Sequence, residues 1–543
     1  MEKIPVYNFL LEDMDIFDSV LPTINKTITK YGCDELKNKL KYISTTSLPT
    51  LISIVAYFNK NDEYRNKIED DLNFIKQKEN IIDNWLYLSC DKDLCFTGSY
   101  EYANNAYSLN ITNTMKFSTI VITIIFYFIM YYFLKYAGVE VDPVDYIKSI
   151  GTGYYTMASF ILSVFIGNKT AIDLLAKGLT FLYIAYQFYL IYETIIGCIN
   201  HYTKCDNFKK EYYQIISVLK HAKNIWKNDL TKDLYFSEEE LLSIQKSFKN
   251  LDKHFTYDNS LGHIIIEKIY YDEYLDDFKN ILMYIGTVDM LISNSKLLNI
   301  GYSSPNVDES YENPYISLTN LWNPLLDFES QVKNTVHMGL TTNKTMIITG
   351  PNKAGKSTFL RSFILAIYLA QSLGITCAES LYFTPFSNIF TYLNVPDHIG
   401  KDSLFEAELE RCYEYYKVAM ESDKNNKILG FIDEMFTGTN YAEGMAGSYA
   451  IIKKISEITH TMTIVTTHFH EICCIPNVNY CKFIANVSET SDKGVSKYKF
   501  PYKIENGVSN QCIALDLLDE RGYGNEIITY AKNKLNDVIK HQS

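Results

Sequence analysis

No C-x-x-C pair occurs anywhere in this chain, although it holds eleven cysteines. They lie at Cys33, Cys90, Cys95, Cys198, Cys205, Cys377, Cys412, Cys473, Cys474, Cys481 and Cys512, an odd number at no finger spacing. That excludes a zinc ribbon and argues against a disulfide framework, leaving reduced thiols in a cytosolic-type compartment. An excess of positive charge is also missing: Lys+Arg number 51 against Asp+Glu 64, a net of -13. A general nucleic-acid binder would be basic, so any DNA contact has to come from local patches or from wrapping. The N-terminus, MEKIPVYNFLLEDMD, is acidic and has no long apolar run, so no signal peptide is expected and the expected location is intracellular. A length of 543 residues suits roughly two to four domains.

What is present is a phosphate-binding pattern. Thr345 to Thr358 reads TMIITGPNKAGKST: a β-branched run feeds Gly350, and Gly350, Gly355, Lys356 and Ser357 fill G-x-x-x-x-G-K-[ST] ahead of a helical pattern. The glycines turn backbone N–H groups toward phosphate oxygens, Lys356 reaches the β- and γ-phosphates, and the Ser357 hydroxyl can ligate Mg2+. A helix opening at Lys356 adds its positive dipole end. A chance glycine turn is the rival, but it leaves the coincidence of strand, loop and helix signals unexplained. The expected ligands are ATP and Mg2+, held by Gly350, Pro351, Asn352, Lys353, Ala354, Gly355, Lys356, Ser357 and Thr358.

Two later stretches fit the same chemistry. Lys427 to Glu434, KILGFIDE, is an apolar strand pattern ending in two acids at the ligand edge of a parallel sheet. Asp433 would hold Mg2+ with Ser357, and Glu434 would polarise the attacking water. Thr463 to Glu471, TIVTTHFHE, is a further buried-strand pattern that brings His468 to the γ-phosphate or its water. A zinc site from His468, His470 and Glu471 is the competing reading, and it lacks a third ligand at standard spacing. Strands alternating with helices imply an α/β sheet of the P-loop class.

Upstream the pattern is helical. Phe9–Tyr31, Asp34–Ile43, Leu48–Tyr57 and Glu63–Leu88 read as a packed layer, with Glu12, Asp13 and Asp15 as a solvated helix start rather than an acidic site. Phe208–Lys227, Glu238–Phe255 and Ile264–Ser293 read as a second helical region, a plain core or a coiled-coil-like arm. Between them, Phe117–Leu134 carries no charge over about 18 residues, flanked by Lys116 and Lys135, which meets the length of a bilayer-spanning helix. Further uncharged runs cover 151–168 and 178–192, and Tyr127, Tyr131, Tyr132, Tyr154 and Tyr155 suit an interfacial belt. Buried core helices are the alternative. If the flanking helices form one domain the crossings must be even, so 117–134 would pair with 151–168 or 178–200. Flank charge then places both termini in the cytoplasm.

TGPNKAGKSTFLR (349–361), SLFEAELER (403–411), FIDEMFTGTNYAEG (431–444) and TTHFHEI (466–472) together resemble, in family order, the ATPase domain of the MutS family of DNA mismatch-repair proteins. More faintly, 14–40 and 283–298 are similar to the two ends of that family's helical core. WNPLL at 322–326 resembles its His-Pro-Leu stretch with Asn323 in the histidine's place, and 502–535 resembles its C-terminal helical segment. The resemblance implies a dimer with composite sites, in which Ser403 of a Ser-x-Phe loop with Phe405 reaches the partner's nucleotide. Phe436 and Thr437 depart from the family's Gly-Arg, which bears on communication between paired sites. On that resemblance the chain is expected to start at the helical core, without the family's N-terminal mismatch-reading domain.

The expected fold class is therefore an α-helical core followed by an α/β P-loop NTPase domain and a short C-terminal helical segment. Its boundaries are 1–110 and 201–315 for the core, 111–200 for the apolar insert, 316–500 for the ATPase and 501–543 for dimerisation. The function implied is a Mg-dependent, DNA-stimulated ATPase, a homodimer clamping mismatched or branched DNA in repair or recombination. The alternative is a membrane-tethered P-loop switch acting on other cargo. An ABC transporter half is disfavoured, because no LSGGQ-like signature lies between the phosphate loop and Asp433.

Overall fold

The computed structural model describes residues 3–95, 104–136, 169–340, 342–393, 404–487, 498–509 and 513–542, with isolated positions at 395, 511 and between 142 and 163. The chain is mostly helical, with its β-structure concentrated in a six-stranded and a four-stranded sheet. It divides into two compact units: Met1–Lys76 with Asn224–Ile244 and Leu282–Ser543, and Gln77–Lys223 with Gln245–Ile281.

The first unit is built on the six-stranded sheet. Thr345–Thr349 lies at its centre, between Asn479–Lys482 and Thr461–Thr466, and Ile428–Asp433 and Asn388–Tyr392 complete a parallel set of five. Glu505–Asn506 closes the opposite edge as an antiparallel strand. Every residue of Thr345–Thr349 and of Thr461–Thr466 is buried, as runs of Ile, Val, Met and Thr in a doubly covered parallel sheet should be. In register, Thr466 pairs with both Ile348 and Asp433, so these strands end level with one another. Helix Lys356–Leu373 follows the central strand and is buried along nearly its whole length. The four-stranded sheet joins Asn306–Val307, Ser380–Phe383, Ile316–Leu321 and Asn334–Met338.

The N-terminal segment belongs to this unit and is tied to the sheet by polar bonds inside an apolar layer. The Gln371 side chain donates to the Ser44 carbonyl at 3.2 Å and the Phe386 carbonyl at 2.8 Å, and accepts from Phe386 N at 3.0 Å. Asp13, expected in a solvated helix start, is buried instead. It accepts from the Thr391 hydroxyl at 2.8 Å and from Arg411 at 3.1 Å, while the Arg411 guanidinium lies 4.6 Å from the Phe9 ring centre. Burial pushes the Asp13 carboxyl up from its usual range, against these donors.

The expected helix Phe9–Tyr31 is broken into Asn8–Asp13, Ile16–Val20 and Leu21–Ile24, with the next helix at Lys30–Lys39. Asp15 adopts a left-handed backbone, Pro22 starts a new turn, and Asn25 is extended and accepts from Thr27 N at 3.0 Å. Asp289, fully buried on helix Leu275–Leu298, supplies the partners that the broken helix loses. Its carboxylate accepts from Ile28 N at 2.9 Å, Thr29 N at 2.7 Å and the Thr29 hydroxyl at 2.7 Å. The apolar periodicity was real, but capping chemistry interrupted it.

The second unit is helical. Trp85 packs against Phe208, Tyr212 and Phe255, with ring centres 5.4, 5.7 and 6.0 Å away. The expected single helix Ile264–Ser293 is instead Leu261–Ile269 and Leu275–Leu298, separated where buried Tyr274 turns its hydroxyl to the Glu267 carbonyl. Gly262 sits where helix Leu261–Ile269 crosses helix Ala106–Tyr136, and a Cβ there would lie 1.9 Å from the Ala106 carbonyl oxygen. The run Phe117–Leu134 falls within Ala106–Tyr136, and 178–192 falls within Lys169–Asn228, which continues without a break through residue 200. Most of 151–168 lies outside the described residues.

Asp289→Ala leaves two backbone N–H groups and a hydroxyl without their acceptor. Unsatisfied buried donors cost about 1–3 kcal/mol each. Urea unfolding should show a loss on the order of 3–5 kcal/mol, and Asp289→Asn, which keeps one acceptor oxygen, should lose less.

Candidate functional site

The site forms where the central strand runs out. Gly350 and Gly355 both have positive φ, at 154° and 98°, so the backbone between Thr349 and helix Lys356–Leu373 turns back on itself. At Gly355 the demand is double: φ is left-handed, and a Cβ would stand 3.0 Å from the Tyr502 ring. Pro351 and Ala354 are buried, whereas Asn352, Lys353, Ser357 and Thr358 are exposed, and Gly355 is intermediate. All of them, with Glu434 and Tyr502, line a cavity of about 520 Å3.

Lys356 is only 5% exposed, unusual for a lysine. Its ammonium donates to the Gly350 carbonyl at 3.1 Å, lies 3.7 Å from Glu434 Oε1 and comes within 3.3 Å of His468 Nε2. That imidazole nitrogen in turn lies 2.7 Å from the same Glu434 oxygen, so a tautomer protonated at Nε2 donates to the carboxylate. Lysine, glutamate and histidine therefore converge from three strand ends.

The electrostatics follow. The hydrogen bond from His468 holds the Glu434 carboxyl below the usual range against its partial burial, and Lys356 adds to the effect. Burial pushes Lys356 below the ordinary lysine value, while Glu434 and Asp433 pull it back. A buried ammonium facing an open cavity is set up to receive a further anion. Asp433 accepts from the Thr466 hydroxyl of the neighbouring strand. His470 and Glu471 point elsewhere: both are exposed, and Glu471 accepts from the Tyr441 hydroxyl at 3.0 Å. No metal-holding group of three His, Cys, Asp or Glu side chains occurs among the described residues.

The loop after the acids is held from helix Leu404–Glu421. Buried Glu408 accepts from the Thr437 hydroxyl at 3.1 Å and from Gly438 N at 3.2 Å. Glu434 and Phe436 both have left-handed backbones, with φ of 53° and 57°, and Phe405 meets the Phe436 ring edge-on at 5.8 Å. Ser403 lies outside the described residues. Sequence reasoning missed Glu408 as a partner of this loop, although its acid inside SLFEAELER was visible. It also missed Asn334 and Tyr502. Asn334 donates to the Tyr502 carbonyl at 3.1 Å and brings the C-terminal segment over the loop, a long-range pairing with no local signature.

The family model for MutS domain V matches residues 346–539, the span that carries this geometry. Residues 346–539 belong to the MutS family. It is 28% identical over 279 residues to the DNA mismatch repair protein Msh3 of Dictyostelium discoideum, which covers 48% of this chain and 19% of that protein. It is 27% identical over 304 residues to the DNA mismatch repair protein MSH3 of Candida glabrata, covering 53% of this chain and 29% of that one. The match thus spans less than a third of either relative's length. The segment 431–444 that resembles the MutS family lies within the matched span, with Phe436 and Thr437 in place of Gly-Arg.

The pH dependence of stability tests this cluster. Glu434 is depressed in the folded chain, so its contribution is present above the ordinary glutamate range and is lost as pH falls through the depressed value. The stability difference between the native chain and Glu434→Gln, read from urea unfolding, should favour the native chain at neutral pH and shrink on acidification.

Proposed function

We propose that this chain is a P-loop ATPase of MutS type that binds ATP with Mg2+ and couples its hydrolysis to closing and opening on mismatched or branched DNA, in repair or recombination. The observation that carries this reading is the convergence of buried Lys356 with Glu434 and His468 beside a cavity lined by residues 351–358 and Glu434. The donor set fits a magnesium nucleotide: a cation and a helix N-terminus for phosphate, with Ser357 and Asp433 as oxygen ligands for the ion. Bound there, Mg2+ would neutralise phosphate charge.

The protein's own residues have separable tasks. Lys356 and the turned backbone from Gly350 to Thr358 hold the phosphates. Glu434 orients and deprotonates the attacking water, its carboxylate kept ionised by His468. Tyr502, beside Gly355, bounds the cavity near the loop. Two copies pair through this region, with Ser403 reaching across. The DNA assignment rests on the relatives, both named DNA mismatch repair proteins. The domain boundaries at 110, 200, 315 and 500 form part of the same reading.

Glu434→Gln should retain ATP and lose turnover by about 10²–10⁴-fold, the range of a general base. Lys356→Ala should lose ATP retention, and mismatched or branched duplex should change the native rate. Native chain that neither retains nor cleaves ATP with magnesium sinks the nucleotide reading; a rate indifferent to DNA sinks the DNA reading alone.

Glu408→Ala tests the loop support. Releasing Thr437 and Gly438 should lower kcat about tenfold, equivalent to about 1.4 kcal/mol, with KM nearly unchanged. Glu408→Gln, which keeps an acceptor, should recover part of the rate.

A further inference from the structure

Among the described residues, the most exposed apolar surface is on two helices of the second unit. Among the described residues, fifteen large apolar side chains between Leu174 and Tyr202 on helix Lys169–Asn228 are exposed. Only 7% of that helix's most apolar stretch is buried, against 83% for the similarly apolar helix Leu275–Leu298. At 3.6 residues per turn, exposed positions such as Leu182, Phe188, Leu190 and Ile191 spread over roughly two-thirds of the circumference. A helix that docks on a protein partner shows an apolar stripe with a polar back, whereas one apolar over most of its circumference is built for a surrounding apolar solvent. Helix Ala106–Tyr136 adds Ile125, Phe128, Ile129 and Phe133 to the exposed surface.

We infer that helices Ala106–Tyr136 and Lys169–Asn228 enter a lipid bilayer as a hairpin. Length comes first: the uncharged stretch between Lys116 and Lys135 is about 27 Å long at 1.5 Å per residue, close to a hydrocarbon core of about 30 Å. Direction comes next. Cys198 Sγ lies 3.2 Å from the Lys116 carbonyl oxygen, so residues 116 and 198 share one level and the chain leaves the apolar zone on the side where it entered.

The charged borders of the apolar band then select lipid over a second copy or a protein groove. At the 116/198 level the apolar surface gives way to a polar cluster: Lys204 pairs with Asp91 at 3.3 Å and with Asp93, and Lys116 donates to the Asp93 carbonyl at 2.6 Å. Lys209 and Lys210 follow on the same helix, Lys210 paired with Asp206 at 2.6 Å, and Lys135 marks the far border. Lysines at both borders of an apolar band match phosphate headgroups on its two sides. Exposed Tyr202 sits at the near border and Tyr132 and Tyr136 at the far one, where amphipathic rings favour the interface. The acid inside the band, Glu193, has the Tyr189 hydroxyl as its hydrogen-bond partner.

The inference is independent of nucleotide and DNA binding. The full chain, synthesised with vesicles of phosphatidylcholine and phosphatidylglycerol, should float with them on a density gradient and remain with them after alkaline carbonate. Leu182→Arg with Phe188→Arg changes two exposed residues, so circular dichroism should be unaltered while vesicle-bound protein falls by roughly a hundredfold, as for charge placed at a bilayer centre. The control Leu182→Ile with Phe188→Leu should stay bound. Native chain released by carbonate overturns the inference, and so does a lipid-free dimer or protein complex that is stable without detergent and shields these side chains.

Discussion

A lysine withdrawn from water at the end of a parallel sheet is the constraint on which the site depends. Desolvation makes the Lys356 ammonium costly, and the answer is a carboxylate 3.7 Å away at the end of the next strand but one. That carboxylate is itself fixed by an imidazole from the strand between them. Such convergence needs strands in register, and the pairing of Thr466 with both Ile348 and Asp433 provides it. The sheet is thus the ruler that sets three side chains to one point. An anion in the cavity would complete the charge balance that Glu434 only partly supplies.

The same logic of buried charge recurs where the N-terminal segment meets the sheet. Asp13 joins that segment to Thr391 and Arg411, and Asp289 gathers the backbone of residues 28 and 29. Neither group lines the cavity, and each removes freedom from a segment that apolar packing alone would hold less specifically. Arg411 and Glu408 lie on one helix, the first bonded to the N-terminal segment and the second to the loop after the acids. A displacement of that helix would therefore be felt both at residue 13 and at residues 437 and 438.

Much of the site was legible in the sequence because its residues lie at strand ends, and strand ends are marked by an apolar run that stops. TMIITG, FIDE and IVTTH each carry that mark, and the strands end at Thr349, Asp433 and Thr466. What was not legible depends on pairings across hundreds of residues. Asn334 with Tyr502, and Ile28 with Asp289, have no spacing that local reasoning can use. Helix limits failed where apolar periodicity continued through a chemical interruption, as at Asp15 and Asn25, or through a turn fixed by one buried tyrosine, as at Tyr274. Asp13 was misread because an acid near a helix start is ordinarily solvated, and nothing in the sequence near it announces Arg411.

Phe436 shows how a departure from a family pattern can be both a strain and a tie. Its φ of 57° lies where glycine rests freely and a bulky residue does not. A glycine there would let the loop beyond Glu434 bend; a phenylalanine holds it by burying its ring, 3% exposed, against Phe405. Backbone strain of this kind is worth about 1–3 kcal/mol, while removal of a buried aromatic costs about 3–5 kcal/mol, so packing wins and the strained turn persists. Glu408 then bonds the next two residues, leaving the loop fixed at three successive positions. Where the MutS family carries a glycine joint followed by arginine, this chain has a packed one followed by Thr437. Any signal passing along the loop has to move helix Leu404–Glu421 with it.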